Sequence, residues 1–258
     1  MTLYQIILLY LFLLPLTSCS TSQKEEQVAT IKAVPTGNNI QGLYFVSEDI
    51  SSGGELGWVI YLDNKNSEGV IYDPPYGKLK LTNIKMTPTG GLTFNAVNNN
   101  DGKIQQSFAG TIYSDKISGT LSNSSNNSFK VKLEKITPDS VFYARNSDIG
   151  IIFSDVYYND EGGDLLGDEV LMLHTSNGLK ILLTCVEGEP SGPYFASNIT
   201  EKGDTIFFSI PSRSNDSIFK IITKGKTAEL YRHSNGFKTP TTLKQKGRIT
   251  SKYQFILP

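Results

Sequence analysis

The segment that decides the fold is Phe108-Ala-Gly-Thr-Ile-Tyr-Ser-Asp-Lys-Ile-Ser-Gly-Thr-Leu121, because strand patterning lies on both sides of a short polar pair. Successive side chains of a strand point to opposite faces, so Ile112, Ile117 and Leu121 can share one buried face. Ser114-Asp115 is a short polar pair of the kind that turns a chain back on itself. The segment therefore predicts a β-hairpin with one apolar face.

The same patterning continues through the rest of the chain. Runs rich in β-branched and aromatic residues, such as Gly57-Trp-Val-Ile-Tyr-Leu62 and Asp204-Thr-Ile-Phe-Phe-Ser-Ile210, recur at short intervals. Gly, Asn, Asp, Ser and Pro separate these runs and are the residues that favour turns. No segment after the N-terminal region has the 3.6-residue period of a helix. The sequence predicts an all-β protein.

A weak internal repeat with an offset of about 110 residues organises these runs. Gly42-Leu-Tyr-Phe45 matches Gly150-Ile-Ile-Phe153, and Gly53-Gly-Glu-Leu56 matches Gly162-Gly-Asp-Leu165. Each match is weak because β proteins reuse short strings. The shared order and near-constant spacing carry the prediction of a duplication, against the alternative of chance similarity between two β-rich halves.

The repeat predicts two β-rich units, unit A over 42–137 and unit B over 148–258, with B a duplication of A. Each unit has room for roughly seven or eight short strands, which suits an antiparallel barrel or a sandwich. The hairpin strings resemble those that close lipocalin-like repeats in secreted bacterial proteins. This resemblance concerns architecture and implies no activity.

The N-terminus carries a targeting pattern. An apolar run from Leu3 to Leu14 precedes Leu16-Thr17-Ser18-Cys19. This run is shorter than the about 20 residues that a membrane-spanning helix needs. The arrangement resembles a bacterial lipoprotein signal with its lipobox, which implies removal of residues 1–18 and acylation of Cys19. The alternatives are an ordinary cleaved secretory signal and a buried N-terminal strand.

A polar stretch follows Cys19. Residues 19–41 are rich in Ser, Thr, Gln, Lys and Glu and lack a periodic apolar pattern, which predicts a flexible tether. Lys24-Glu25-Glu26 resembles the signal that sends some bacterial lipoproteins to the cell surface. By analogy with lipoprotein sorting, Ser20 favours the outer membrane. We therefore expect a lipid-anchored protein of the cell envelope, on the periplasmic face or at the cell surface.

Charge and cysteine content exclude several classes of function. The chain has 24 Lys and Arg against 25 Asp and Glu, a formal net charge of −1, so it offers no basic field for nucleic acid. If Cys19 is acylated, Cys185 has no partner within the chain for a disulfide. Cys185 lies in the apolar run Lys180-Ile-Leu-Leu-Thr-Cys-Val186, which predicts a buried thiol.

No catalytic residue is predicted. The two histidines, His174 and His233, belong to no HxxxH or HxH spacing, so a histidine-based zinc site has no support. The chain has no GxSxG motif, although a triad that assembles in space stays open. Enzymatic activity is left undecided and non-enzymatic function is favoured.

The acidic run Asn159-Asp-Glu-Gly-Gly-Asp-Leu-Leu-Gly-Asp-Glu169 is the best metal candidate. Its carboxylates, among them Asp160, Asp164 and Asp168, are separated by glycines and are hard oxygen ligands of the kind that bind Ca²⁺. The spacing is not that of an EF-hand. A solvated hairpin loop is the favoured interpretation and a calcium site is the alternative.

The rigid loop Tyr72-Asp-Pro-Pro-Tyr-Gly77 is a candidate part of an aromatic contact surface. Trp58, the single tryptophan, follows the Gly53-Gly54 loop and joins Tyr72 and Tyr76 in this candidate surface. Such a surface contacts a protein or a glycan. The favoured interpretation places Trp58 in the core and makes the loop a tight turn, and the contact surface is the alternative.

These observations favour a lipid-anchored, non-enzymatic binding protein of the envelope or cell surface. A protein partner is expected, a glycan is the other candidate ligand, and no cofactor is required. One alternative is an inhibitor or immunity lipoprotein that blocks an envelope-active enzyme or toxin. A second alternative is a glycan-binding or glycan-active protein.

Overall fold

The chain folds into antiparallel β-structure, as a computed structural model shows. The secondary structure of the described residues consists of strands, turns and one 3₁₀ helix, η1 (His233–Asn235). The all-β prediction is confirmed. The described residues are 40–50, 54–74, 77–113, 116–139, 148–160, 162–211 and 217–257. The strands are β1 (Gly42–Asp49), β2 (Glu55–Asp63), β3 (Glu68–Asp73), β4 (Gly77–Met86), β5 (Gly91–Val97), β6 (Ile104–Tyr113), β7 (Lys116–Asn123), β8 (Ser128–Lys135), β9 (Asp148–Ser154), β10 (Tyr157–Tyr158), β11 (Leu165–Thr175), β12 (Gly178–Phe195), β13 (Ser197–Lys202), β14 (Thr205–Ser209), β15 (Ile218–Lys224), β16 (Thr227–Arg232), β17 (Thr241–Thr250) and β18 (Phe255–Ile256).

Strands β1 to β8 form a closed antiparallel barrel, barrel 1. Each strand pairs with the next along the chain, and β8 pairs back with β1 between Tyr44↔Lys135 and Ser47↔Lys132. Closure leaves this sheet without an exposed edge. Eight strands enclose an interior just wide enough for side chains to fill.

The hairpin of β6 and β7 confirms the register expected from the sequence. Phe108 pairs with Leu121 and Ile112 pairs with Ile117. Ile112, Ile117 and Leu121 are 1%, 2% and 3% exposed and belong to the apolar cluster inside barrel 1. The alternating pattern of this segment thus supplies two strands of the barrel wall and part of the barrel core.

Strands β9 and β11 to β17 form a second circuit, barrel 2. β9 pairs with both β11 and β17, and β13 to β17 pair in chain order. β12 pairs with β11 and then turns back on itself, so that the amide of Ala196 donates to the carbonyl of Ile181 at 2.9 Å. The continuation of this returning segment is β13, which pairs with β14.

The two barrels share the same order of strands. β6 and β7 of barrel 1 correspond to β15 and β16 of barrel 2, where Phe219 pairs with Arg232 as Phe108 pairs with Leu121. Barrel 1 runs from Gly42 to Lys135 and barrel 2 from Asp148 to Thr250. The common order defines equivalent positions in the two barrels; the duplication itself stays a prediction.

An apolar layer joins the outer faces of the two barrels. Phe195 of β12 packs edge-to-face on Phe45 of β1, with ring centroids 5.3 Å apart. Gly57 makes this approach feasible, because a Cβ at that position would lie 2.1 Å from the Phe195 ring. The layer is formed by Leu43, Phe45, Val59, Tyr72, Ile136, Ile149, Ile152, Leu171, Leu173, Leu182, Ile249 and Phe255.

A buried polar contact crosses this layer. Glu169 of β11 is 1% exposed, and its Oε1 accepts a hydrogen bond from the hydroxyl of Tyr72. Lys246 Nζ donates to Oε2 of the same carboxylate at 2.9 Å. Burial, followed by the charge of Glu169, raises the pKa of Tyr72 well above its usual value. The carboxylate therefore has a hydrogen-bond donor on each oxygen, which offsets the cost of burying its charge.

Several sequence predictions concern the N-terminal region. Cys19 and residues 1–39 lie outside the described residues. Ile40 and Gln41, the last two residues of the predicted tether, lie against barrel 1: Ile40 is 3% exposed, and Gln41 Nε2 donates to Asp63 at 3.1 Å. The described part of the chain contains no helix long and apolar enough to cross a membrane.

Candidate functional site

A cavity of about 240 Å³ lies inside one end of barrel 1, where β3 and β7 end and β6 and β8 begin. We call it the mouth cavity. The side chains that line it point into the barrel. Some of them lie two positions along a strand from core side chains such as Ile71 and Phe108, and therefore on the same face. Pro74 and, from β12, Gly192 and Pro193 border the cavity. The barrel side chains that line it are Trp58, Asp73, Gln106, Leu121, Asn123 and Phe129.

Asp73 is the polar centre of the mouth cavity. Trp58 Nε1 donates to Asp73 Oδ1 at 3.0 Å, and Gln106 Nε2 donates to Asp73 Oδ2 at 3.2 Å. Burial raises the pKa of Asp73 to about 6, although the hydrogen bond from Trp58 favours the charged form. The carboxyl group is held in place by donors from two strands.

Two further polar side chains, those of Gln106 and Asn123, line the mouth cavity. Gln106 Oε1 is buried and accepts no hydrogen bond from the described part of the chain. Asn123 Oδ1 accepts from the backbone amides of Ser125 and Asn127 at 3.1 and 3.0 Å, so the group that Asn123 offers is its Nδ2 donor. An acceptor left without a donor in a buried position costs free energy, which a bound donor recovers.

A polar cleft of about 620 Å³ continues from the mouth cavity over the rim of the barrel. It shares Asp73, Gln106 and Asn123 with the cavity and extends to the loop between β5 and β6. Backbone bonds within that loop fix its shape, since the Gly102 amide donates to the Asn98 carbonyl at 2.9 Å. The amide side chains that line the cleft are Asn98, Asn99, Asn100, Gln105, Gln106 and Asn123.

The equivalent end of barrel 2 holds an ion pair instead. Arg232 Nη2 donates to Asp168 Oδ2, and Arg232 Nη1 donates to Thr241 Oγ1 at 3.2 Å. The Asp168 side chain is 5% exposed and that of Arg232 is 25% exposed. Arg232 occupies the position that Leu121 has in barrel 1, because each is the partner of the equivalent phenylalanine. The position that borders the cavity in barrel 1 therefore carries, in barrel 2, the cation of an ion pair.

The three predicted calcium ligands are not brought together. Asp160 and Asp164 are exposed in the loop between β10 and β11, whereas Asp168 lies inside barrel 2 and binds Arg232. Across the described residues, no group of three or more His, Cys, Asp and Glu side chains is placed to hold a metal ion. The calcium alternative for the acidic run came from local spacing. In the fold, Asp168 of this run binds the guanidinium of Arg232 on β16 rather than a metal ion.

The candidate aromatic surface is not formed by Trp58 and Tyr72. Val59 pairs with Tyr72 across β2 and β3, so Tyr72 faces the junction between the barrels and is 0% exposed. Trp58, one residue from Val59, points the other way into barrel 1 and is 9% exposed. Tyr76 lies outside the described residues. Trp58 therefore lines the mouth cavity, as part of the core rather than of an outer surface.

The remaining reactive side chains lie elsewhere. His174 is half-buried near the end of β11, where burial lowers its pKa, and His233 is exposed in η1 at the other end of barrel 2. Cys185 is 3% exposed in the core of barrel 2 and lies opposite Asp168. The burial expected for this thiol is confirmed.

A wider groove of about 720 Å³ runs along the junction of the barrels. Phe45 and Phe195 form part of it, and its charged side chains include Lys132 and Glu55. Lys132 is well exposed and bonds to Asp49 at 3.0 Å. Such exposed pairs contribute little and bind other ions weakly. The mouth cavity, with its buried and fixed polar groups, is the better candidate site.

The mouth cavity combines a fixed carboxylate, a buried amide acceptor, an amide donor and an apolar wall. Convergent polar groups on an apolar concave surface are the usual features of a small-ligand site. No protein-family model, curated protein sequence or solved structure matches this chain.

Proposed function

We propose that this protein is a lipid-anchored, non-enzymatic binding protein of the bacterial cell envelope, and that its ligand enters the mouth cavity of barrel 1. One observation carries the proposal. At equivalent ends of two barrels with the same strand order, barrel 2 holds the Arg232–Asp168 ion pair whereas barrel 1 has a cavity with convergent polar groups. Polar groups that face a cavity serve to orient a ligand.

The barrel supplies a prearranged site. The Asp73 carboxylate is oriented by Trp58 and Gln106, which belong to strands that the closed ladder holds in register. A ligand that enters orders few additional side chains, so little of the interaction energy is lost to conformational entropy. Side chains held in fixed positions in this way suit a protein that binds its ligand without converting it.

The proposed location rests on the N-terminal sequence. Leu16-Thr17-Ser18-Cys19 matches the pattern of a lipobox, and the composition of the polar residues after it favours a flexible tether between the lipid and the barrels. Several acyl chains on one cysteine give stable anchoring, whereas one chain gives marginal binding. Cys19→Ala is expected to release the protein from the membrane fraction and to abolish acyl-lipid incorporation. Retention of this variant at the wild-type level refutes the anchor.

Ligand capture tests the binding proposal. Full-length protein is immobilised, incubated with an enzymatic digest of cell envelopes and washed, and the retained small molecules are identified by mass spectrometry. The matched control is Leu121→Arg, which places at the barrel 1 mouth the residue type that fills the mouth of barrel 2. We expect a compound that the wild type retains and the folded control does not. Equal retention by both proteins, or retention by neither, contradicts the proposal.

A further inference from the structure

The polar and apolar groups of the mouth cavity define a class of ligand. We infer that the cavity binds one neutral sugar residue, and that the cleft beside it accepts the next residues of the same glycan. This inference rests on the proposed binding function and adds the chemistry of the ligand. It comes from Asp73, Gln106 and Asn123 together with the apolar wall that Trp58, Leu121 and Phe129 form.

The polar groups require a ligand that both donates and accepts hydrogen bonds. Asp73 and Gln106 Oε1 are acceptors, and the second of these is buried without a donor in the described residues. Asn123 contributes an Nδ2 donor. A hydroxyl group is a donor and an acceptor at once, so neighbouring hydroxyls of one sugar ring suit the acceptor Asp73 and the donor Asn123. Gln106 Oε1 is buried from solvent and reaches a hydroxyl only when its side chain turns toward the cavity. An ammonium group only donates and leaves Asn123 without an acceptor.

The apolar part of the cavity matches the other half of a sugar. Trp58, Leu121 and Phe129 line the cavity beside the polar groups, and Pro74 and Pro193 border it. The C–H groups of a pyranose ring present an apolar face, which packs on aromatic and aliphatic side chains while the hydroxyls reach the polar side. The volume of about 240 Å³ is at the small end of ligand sites and suits one residue.

The surroundings favour a neutral ligand with more than one residue. Asp73 and Lys78, one charge of each sign, are the charged side chains on the cleft of about 620 Å³. Their opposite signs give no net attraction for an anion or a cation. Six amide side chains line the same cleft. Asn98 Oδ1 accepts from the Asn100 amide and Asn99 Nδ2 donates to the Lys78 carbonyl, so these two side chains offer the Asn98 Nδ2 donor and the Asn99 Oδ1 acceptor to further hydroxyls. The geometry therefore points to the end of a neutral glycan chain, with its last residue in the cavity.

The single tryptophan provides a direct readout, because Trp58 lines the cavity and its fluorescence comes from no other position. Full-length protein in a detergent without sugar groups is titrated with glucose, galactose, N-acetylglucosamine, cellobiose, lactose and chitobiose. Putrescine and succinate serve as cationic and anionic probes. We expect a saturable change with at least one saccharide and a Kd of about 1 mM or below. A disaccharide of the same sugar is expected to bind more tightly than the monosaccharide.

Two variants separate recognition from folding. Gln106→Leu removes the buried acceptor and is expected to weaken saccharide binding about tenfold. Gln245→Leu, the matched substitution on β17 of barrel 2, is expected to bind like the wild type. If Gln106→Leu does not unfold cooperatively, Asp73→Asn replaces it, with the same expected loss.

The outcomes distinguish this inference from the proposed function. Saturation by putrescine or succinate and by no saccharide up to about 100 mM overturns the sugar inference and leaves the binding function intact. A response to no probe also overturns the sugar inference, and the capture experiment then decides the binding function separately. If Gln106→Leu and Gln245→Leu lose saccharide affinity equally, the assignment of saccharide binding to the mouth cavity is wrong.

Discussion

The two barrels of this protein share one order of strands and differ at one end. In barrel 1 the interior positions at this end hold Trp58, Asp73 and Leu121 around a cavity, whereas barrel 2 has Asp168 and Arg232 in an ion pair. The apolar cores beneath these positions are filled in both. The difference shows that closure of the barrel and the chemistry of its mouth depend on separate residues. A few interior positions at the rim decide whether the same fold encloses a site.

The largest expected effect tests the ion pair of barrel 2. Arg232→Leu leaves the Asp168 carboxylate, 5% exposed, without its cation, so we expect a loss of about 3–5 kcal/mol in the free energy of unfolding. Urea denaturation measures the loss. The double variant Asp168→Leu/Arg232→Leu removes both charges and is expected to recover most of the stability. A loss below about 1 kcal/mol in the single variant shows that the pair does not stabilise this mouth.

The carboxyl group of barrel 1 is expected to make stability depend on pH. Because burial raises the pKa of Asp73 from 3.8 to about 6, the folded state binds a proton more tightly than the unfolded state. Stability contributed by this group is present below pH 4 and is lost as the pH rises through 6, by a total of about 3 kcal/mol.

Asp73→Asn removes this dependence. Urea denaturation at pH 4 and pH 7 is expected to show a smaller decrease in the variant than in the wild type, by most of that amount. Asp101→Asn, on the exposed loop after β5, is the control that keeps the wild-type difference. An unchanged decrease in Asp73→Asn means that Asp73 does not titrate between these values.

Leu121→Arg is expected to give barrel 1 the chemistry of barrel 2. An arginine at this position faces Asp73 across the mouth cavity, and its charge is expected to lower the pKa of Asp73 from about 6. The larger side chain costs about 1–3 kcal/mol of stability. NMR titration of the Asp73 carboxyl carbon measures the shift. If the Asp73 carboxyl of a folded Leu121→Arg variant still titrates near pH 6, positions 121 and 232 are not equivalent.

The smallest expected effect concerns the junction between the barrels. Tyr72→Phe removes the hydroxyl that donates to Glu169, whose other oxygen keeps Lys246 at 2.9 Å. We expect a loss of about 1–2 kcal/mol, because the remaining donor still compensates the buried charge. Trp58 fluorescence is expected to stay at the wild-type wavelength, since Tyr72 faces away from the mouth cavity. A shifted emission indicates that the junction and the mouth are coupled.

Local patterns predicted the strands but not the site. The β6–β7 hairpin was predictable because Ile112, Ile117 and Leu121 follow the strand alternation on both sides of the polar pair Ser114-Asp115, which itself lies outside the described residues. Asp73 and Gln106 are 33 positions apart and lie on strands that are not neighbours, so they meet only because the barrel closes. Closure is a property of the whole ladder that no local pattern contains.

The candidate aromatic and calcium-binding residues are not brought together, for a related reason. Trp58 and Tyr72 both lie near the Gly and Pro loops in sequence, yet the alternation of side chains along paired strands places them on opposite faces. The partner of Asp168 is 64 positions away in Arg232. Both outcomes depend on how strands that are distant in sequence pair with one another. The composition around a loop contains no information about that pairing.

The indole N–H of Trp58 offers the most direct test of the claim that barrel 1 has an open mouth. This single indole donates to Asp73 inside the cavity, so one resonance in a ¹H–¹⁵N spectrum reports on the site. We predict that the compound captured from envelope digests shifts this resonance saturably in the wild type and leaves it unchanged in Leu121→Arg. Binding of that compound with no shift of the Trp58 indole resonance contradicts the account, because the ligand then binds elsewhere.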